Sequence, residues 1–105
     1  MTALALADLL GLSAALLGIG LFGILTRRNF ILLLIAVEIS MNAAILNFVV
    51  FSAFFSGLNG VNGQAAAVVL VGLAATEVAV GLAIVLALNR QRGSINVAEA
   101  TSLKL

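Results

Sequence analysis

Three long and nearly uncharged stretches, residues 9–26, 29–55 and 64–88, constrain this chain more than any other feature. Each reaches the roughly 17 to 25 residues that a helix needs to cross a bilayer core of about 30 Å. Only 9% of the 105 residues are charged, whereas soluble domains carry about 25%. The sequence therefore predicts an all-α membrane protein, a single domain over residues 1–105 with three transmembrane helices. The predicted spans are residues 5–26, 29–55 and 64–88, followed by a tail of residues 89–105.

The basic residues predict the orientation of the chain. All five fall either between the first two spans or after the third, at Arg27, Arg28, Arg90, Arg92 and Lys104. With three spans these two segments share one side of the membrane, and the positive-inside rule makes that side cytoplasmic. We therefore expect the N-terminus outside, the C-terminus in the cytoplasm and residues 56–63 as an external loop. A signal peptide is disfavoured, because its basic residues would precede the apolar run.

The residue types that the chain lacks exclude several kinds of chemistry. It contains no Cys and no His, which removes disulfides, thiol nucleophiles, cysteine-held iron–sulfur clusters and the commonest metal ligand. We therefore expect no metal site and no catalytic redox site in this chain. The net charge of +1 is too small to suggest nucleic-acid binding.

Small and polar residues inside the spans predict how the helices pack. The run Gly18-x-Gly20-x-x-Gly23 formally matches a dinucleotide-binding motif, but no strand precedes it, as that motif requires. Instead, we expect these glycines to let a neighbouring helix approach closely. Ser40 and Asn47 lie seven residues apart in the second span, and we expect them to form hydrogen bonds between helices.

Two acidic residues, Glu38 and Glu77, lie inside the apolar spans. At a rise of 1.5 Å per residue, Glu38 is about 15 Å from Arg28 and Glu77 about 20 Å from Arg90, so both are near the midplane of the bilayer. A charged acid there costs roughly 2.5 to 3.5 kcal/mol, which makes each a functional hypothesis. Each could take up and release protons, or it could only hold a neighbouring helix through a carboxyl that never titrates.

Each glutamate has a polar companion in the sequence. Asn42 lies one turn beyond Glu38 on the same face, and Thr76 directly precedes Glu77. Either companion could orient its acid, hold a water molecule or only serve packing. If the second and third spans are antiparallel neighbours, their axes are about 8–10 Å apart and the acids differ by about 5 Å in depth. This separation predicts two stations of a proton path, joined by water or by a residue of another chain.

Several motifs together resemble one known family. They are Gly20-Leu-Phe-Gly-Ile-Leu-Thr-Arg27-Arg28-Asn29, Glu38-Ile-Ser-Met-Asn42-Ala43 and Ala74-Ala-Thr-Glu77-Val-Ala-Val-Gly81. In these motifs, and in its length and three spans, the chain resembles the subunit K family of proton-pumping NADH:quinone oxidoreductase, the 4L-type subunits of respiratory complex I. The likeness runs from the first span to Arg90.

The resemblance implies a subunit of the membrane arm, lying between the quinone-site subunit and the antiporter-like subunits. It implies that Glu38 and Glu77 belong to a proton path within the membrane near the quinone end. It also implies that Arg27 and Arg28 lie in a cytoplasmic loop that supports energy-coupled activity. Quinone, flavin and iron–sulfur clusters would belong to partner subunits, so this chain would hold no cofactor. We expect a bacterial or archaeal inner membrane, with an organellar inner membrane as the alternative.

Other classes of membrane protein fit the sequence less well. The related small subunit of Mrp-type cation/proton antiporters has a similar three-helix layout, but it is not expected to carry this pair of glutamates. A small proton-coupled multidrug exporter needs four spans with an acid in the first, where this chain has only Asp8 at the edge. A rotary-ring proteolipid uses one carboxylate in a two-helix hairpin. A membrane spacer with a purely structural role is a further alternative, and titration of the two acids distinguishes it from a proton-carrying subunit.

Overall fold

The computed structural model describes residues 2–55, 60–92 and 97. Within this part the chain forms three α-helices, α1 (Ala3–Thr26), α2 (Phe30–Phe55) and α3 (Gly60–Arg92). At 1.5 Å per residue they are about 36, 39 and 50 Å long, and each is long and apolar enough to cross a membrane. The prediction of three helices long and apolar enough to span a membrane is confirmed. The predicted sidedness of the termini stays a prediction.

A very short turn joins α1 to α2. After α1 ends at Thr26, Asn29 caps the next helix, because its Oδ1 accepts hydrogen bonds from the backbone N–H groups of Ile31 at 2.9 Å and Leu32 at 3.4 Å. Because this turn is so short, α2 must run back along α1. The two helices are therefore antiparallel neighbours.

Helix α2 lies in the middle of the molecule and packs against both other helices, whereas the described parts of α1 and α3 hardly touch. Two glycines bring α1 close to α2. A Cβ atom placed on Gly20 would lie 2.9 Å from the carbonyl oxygen of Ala36, and one on Gly23 would lie 2.7 Å from the Cβ of Ala36. Gly18, in contrast, faces open space. The predicted close approach is confirmed for Gly20 and Gly23, whereas Gly18 meets no other helix in the described part of this chain.

The contact between α2 and α3 uses small residues spaced seven apart. Ala67 and Ala74 are buried, and a Cβ atom on Gly81 would lie 2.7 Å from Cδ1 of Leu34. A spacing of seven keeps these residues on one face of α3. Since apolar side chains gain little by leaving lipid, close packing of small residues is what holds such helices together.

Helix α3 is longer than its predicted span. It begins at Gly60 and continues to Arg92, so the predicted loop is wrong for residues 60–63, while residues 56–59 lie outside the described part. A Cβ atom on Gly63 would lie 2.5 Å from the Cβ of Ser52 and 3.1 Å from the carbonyl oxygen of Phe48. This glycine therefore serves a helix contact instead of a turn. At the other end, each added residue gains a hydrogen bond once a helix exists, so α3 extends beyond the apolar run.

Candidate functional site

The two intramembrane glutamates lie at the same level. Leu34 of α2 packs on Gly81 of α3, and the two helices run in opposite directions. Glu38 lies four residues after Leu34 and Glu77 four residues before Gly81, so both are displaced in the same direction by about 6 Å. The contact between Ser52 and Gly63 gives the same register. The predicted difference of about 5 Å in depth is therefore wrong.

The cause of that error is the length of α3. Counting from the arginines assumes that Arg28 and Arg90 mark the same depth. Arg90 lies nine residues beyond Gly81, about 13.5 Å, whereas Arg28 lies six residues before Leu34, about 9 Å at the same rise. Arg90 is thus about 4.5 Å farther than Arg28 from the level of this contact, which accounts for the error. Charged residues mark the end of a span only approximately.

Glu38 lies in an apolar groove between α2 and α3. Its side chain is half-buried and is the polar member of a groove of about 240 Å³ lined by Ile31, Leu34, Ile35, Glu38, Ile39, Val78 and Leu82. The groove therefore surrounds the part of Glu38 that lines it with hydrocarbon side chains.

Glu77 emerges on the opposite side of the α2–α3 contact. Ile84, seven residues later and on the same face of α3, lines a second groove together with Val37 and other residues. Val78 and Leu82, which line the groove of Glu38, lie about 100° and 140° around α3 from Glu77. Glu77 is exposed on the surface of this chain. The two acids thus share one level but flank the contact from opposite sides.

Few polar groups of the described residues interact with these two acids. In that part of the chain neither Glu38 nor Glu77 has a hydrogen-bond or ion-pair partner. Asn42 lies on the same face as Glu38 and is exposed. The hydroxyl of Thr76 donates to the carbonyl of Gly72 in its own helix at 2.9 Å, so the structure does not bring it to Glu77. Nor do three or more acidic, His or Cys residues come together there as a metal site would require.

A buried serine that sequence reasoning missed joins α1 to α2. Ser13 is 3% exposed, and its hydroxyl donates to the carbonyl of Ala43 at 3.0 Å. The expected interhelical bond of Ser40 is wrong, because that hydroxyl donates to Ala36 within α2 at 3.0 Å. Oδ1 of Asn47 is buried and has no hydrogen-bond partner among the described residues. The sequence feature that could have identified Ser13 as a contact residue is its spacing of seven from Gly20, which places both on one face of α1.

The arginines of the described residues gather at one end of the molecule. Arg27 and Arg28 are exposed in the α1–α2 turn, and Arg90 is exposed near the end of α3. The backbone N–H of Val97 donates to the carbonyl of Arg28 at 2.7 Å, so the chain returns to this turn after α3. Lys104 lies outside the described part. This end of the bundle is therefore strongly basic.

Comparison with known proteins gives a consistent result. A family model described as NADH-ubiquinone/plastoquinone oxidoreductase chain 4L matches residues 8–105. The chain is 47% identical over 94 residues to NADH-quinone oxidoreductase subunit K of Anaeromyxobacter sp. (strain K), covering 90% of this chain and 92% of that protein. It is 44% identical over 100 residues to the protein of that name from Alkalilimnicola ehrlichii, covering 94% and 96%. The Bacillus cytotoxicus protein of the same name is 45% identical over 97 residues, 90% of each chain.

Proposed function

The chain belongs to the NADH-ubiquinone/plastoquinone oxidoreductase chain 4L family, and we propose that its Glu38 and Glu77 are two stations of a proton path coupled to quinone reduction. As a member it is a subunit of the membrane arm of NADH-quinone oxidoreductase, complex I. The observation that carries the proposal is the pair of acids at one level inside apolar helices, where a charge is costly and an acid is retained for function.

Each glutamate takes up a proton as the carboxylate, holds it as the neutral acid and releases it when a better acceptor is near. Because the acids flank the α2–α3 contact from opposite sides, a proton passing between them travels around that contact. Glu38 has only apolar neighbours in its groove, so this route requires water or a polar side chain from a neighbouring subunit. The chain thus supplies two fixed stations and its partners supply the links.

The other subunits of complex I are the partners of this chain, and its three spans and bacterial relatives point to an integral protein of the inner membrane. We assign the neighbouring positions to the quinone-site subunit and an antiporter-like subunit. The basic end carrying Arg27 and Arg28 faces the cytoplasm, where these arginines support coupling. With neither Cys nor His, the chain leaves quinone, flavin and iron–sulfur clusters to its partners and holds no redox site.

Substitution of each acid by its amide tests the path. Glu38→Gln and Glu77→Gln preserve shape and remove the ability to exchange a proton. We expect each variant complex to assemble, with proton pumping and quinone reduction lowered about tenfold or more. Asp8→Asn is the matched control, because Asp8 is an exposed acid near the start of α1, and it should leave both rates unchanged. Pumping at the wild-type rate by the assembled Gln variants would contradict the proposal.

The double variant shows whether the two acids act in series. Loss of either station interrupts the same flow, so Glu38→Gln with Glu77→Gln should be little worse than the more damaging single variant. Two unrelated packing contacts would give additive losses, and those would appear as lost assembly. The rates of proton pumping and quinone reduction, measured in vesicles for all four proteins together with the amount of assembled complex, separate these outcomes.

A further inference from the structure

We propose that Ser13 is a positioning residue, which sets the rotation of α2 about its axis and thereby the position of the Glu38 carboxyl. The inference rests on the proposed function of Glu38 as a proton station. Ser13 lies in α1 and does not line the groove of Glu38. It acts through the backbone of α2, to which its hydroxyl is bonded.

The hydrogen bond of Ser13 is well protected. The side chain is 3% exposed, and its oxygen lies 3.0 Å from the carbonyl oxygen of Ala43, a normal length for such a bond. In a medium of low dielectric constant a hydrogen bond is stronger than in water, and an unpaired hydroxyl is costly. The bond therefore favours one particular placement of Ala43 relative to α1.

At one end of the contact between α1 and α2, small residues provide closeness with little resistance to rotation. Gly20 and Gly23 pack against Ala36 there, and small residues present low ridges to the opposite helix. Large side chains that interdigitate between two helices form ridges that resist rotation of one helix against the other. Glycine and alanine surfaces chiefly allow close approach. A directional hydrogen bond supplies the restraint that this smooth contact lacks.

The geometry of α2 transmits this restraint to Glu38. Ala43 lies five positions after Glu38, which corresponds to about 140° around the helix and 7.5 Å along it. A carboxyl about 5–6 Å from the axis moves by about 1.5 Å when the helix turns by about 15°. A misplacement of about 1 Å can slow a reaction about 100-fold. Ser13 can thus control Glu38 from the far side of α2.

Ser40 provides a matched control within the same contact. Its hydroxyl is half-buried and faces Gly20, but it donates to Ala36 inside α2. Ser40→Ala therefore removes a hydroxyl from the α1–α2 contact without releasing one helix from the other. Ser13→Ala removes the bond between the helices. Ser13→Cys fills the site with a slightly larger group than serine and keeps a weak donor.

The test uses the assembled complex with two readouts. One is the rate of proton pumping coupled to quinone reduction, and the other is the infrared absorption of the Glu38 carboxyl, assigned by its loss in Glu38→Gln. We expect Ser13→Ala to assemble, to shift the Glu38 band and to lower coupled pumping about three- to tenfold, in line with the worth of one hydrogen bond. Ser13→Cys should lie between Ser13→Ala and wild type, and Ser40→Ala should match wild type.

Several outcomes decide the proposal. An unshifted Glu38 band in assembled Ser13→Ala, or an equal shift in Ser40→Ala, would overturn it. If Ser13→Ala fails to assemble, Ser13→Cys decides by the same criteria, since it fills the site. A shifted band in Ser13→Ala together with normal pumping by Glu38→Gln would support positioning by Ser13 while overturning the proton-path function of Glu38.

Discussion

At the scale of single residues, the neighbours of a glycine decide what it does. Gly18 and Gly20 belong to the same short motif, but two residues correspond to about 200° around a helix. Gly20 therefore meets the backbone of α2, while Gly18 meets nothing within 4 Å. The motif predicts close approach at its glycines, whereas the rotation of α1 decides which of them meet α2.

This difference predicts unequal effects of the same substitution. In Gly20→Ala the new methyl group meets the carbonyl of Ala36 and the amide of Ser40, both at 2.9 Å. Backbone atoms cannot swing aside, so we expect a loss of about 1–3 kcal/mol in stability. Gly18→Ala is the control, and it should be neutral or stabilising by up to about 1 kcal/mol. Thermal inactivation of the purified complex measures both, and equal behaviour of the two variants would refute the contact.

At the scale of helices, the sequence predicts much of the fold and less of the site. Apolar runs predict the three helices, and Glu38 and Glu77 stand out because acids are costly in such runs. Their common level could not be predicted, because the register depends on Leu34 packing on Gly81, one of many possible pairings of large and small residues. The partner of a hydroxyl, as at Ser13, likewise depends on helix rotation. Tertiary contacts decide both.

The start of α2 gives a prediction at this scale. Asn29→Ala removes the acceptor that holds the amides of Ile31 and Leu32, and loss of such a cap costs about 0.5–2 kcal/mol. We expect faster hydrogen exchange at these two amides, whereas Asn29→Asp should preserve the cap, because it keeps the acceptor. Asn89→Ala, at an exposed helical asparagine near the end of α3, should leave them unchanged. Unaltered exchange in Asn29→Ala would show that the turn alone fixes α2.

At the scale of the whole molecule, three antiparallel helices form a body 55 Å long, longer than a bilayer core of about 30 Å. Its ends therefore extend beyond the hydrocarbon, and one of them carries the exposed Arg27, Arg28 and Arg90. Between the ends, the acids open toward two different sides of α2 and α3. A chain with this layout can separate two neighbouring subunits while presenting an acid to each.

The concentration of basic residues at one end predicts how the molecule lies in the membrane. Because positive charges are retained on the cytoplasmic side, a reporter fused after Lys104 should be cytoplasmic, and one inserted between Asn59 and Gly60 should be external. The second position follows from the first, since α3 alone separates them and is long enough to cross the bilayer. Paired reporters active in opposite compartments, one an external phosphatase and one a cytoplasmic fluorescent protein, measure this directly. Both positions on the same side would mean that α3 does not span, and interchanged positions would mean that the arginines do not set the orientation. With the expected result, the start of α1 and the beginning of α3 face outward, and the proposed proton path through Glu38 and Glu77 lies between the two compartments.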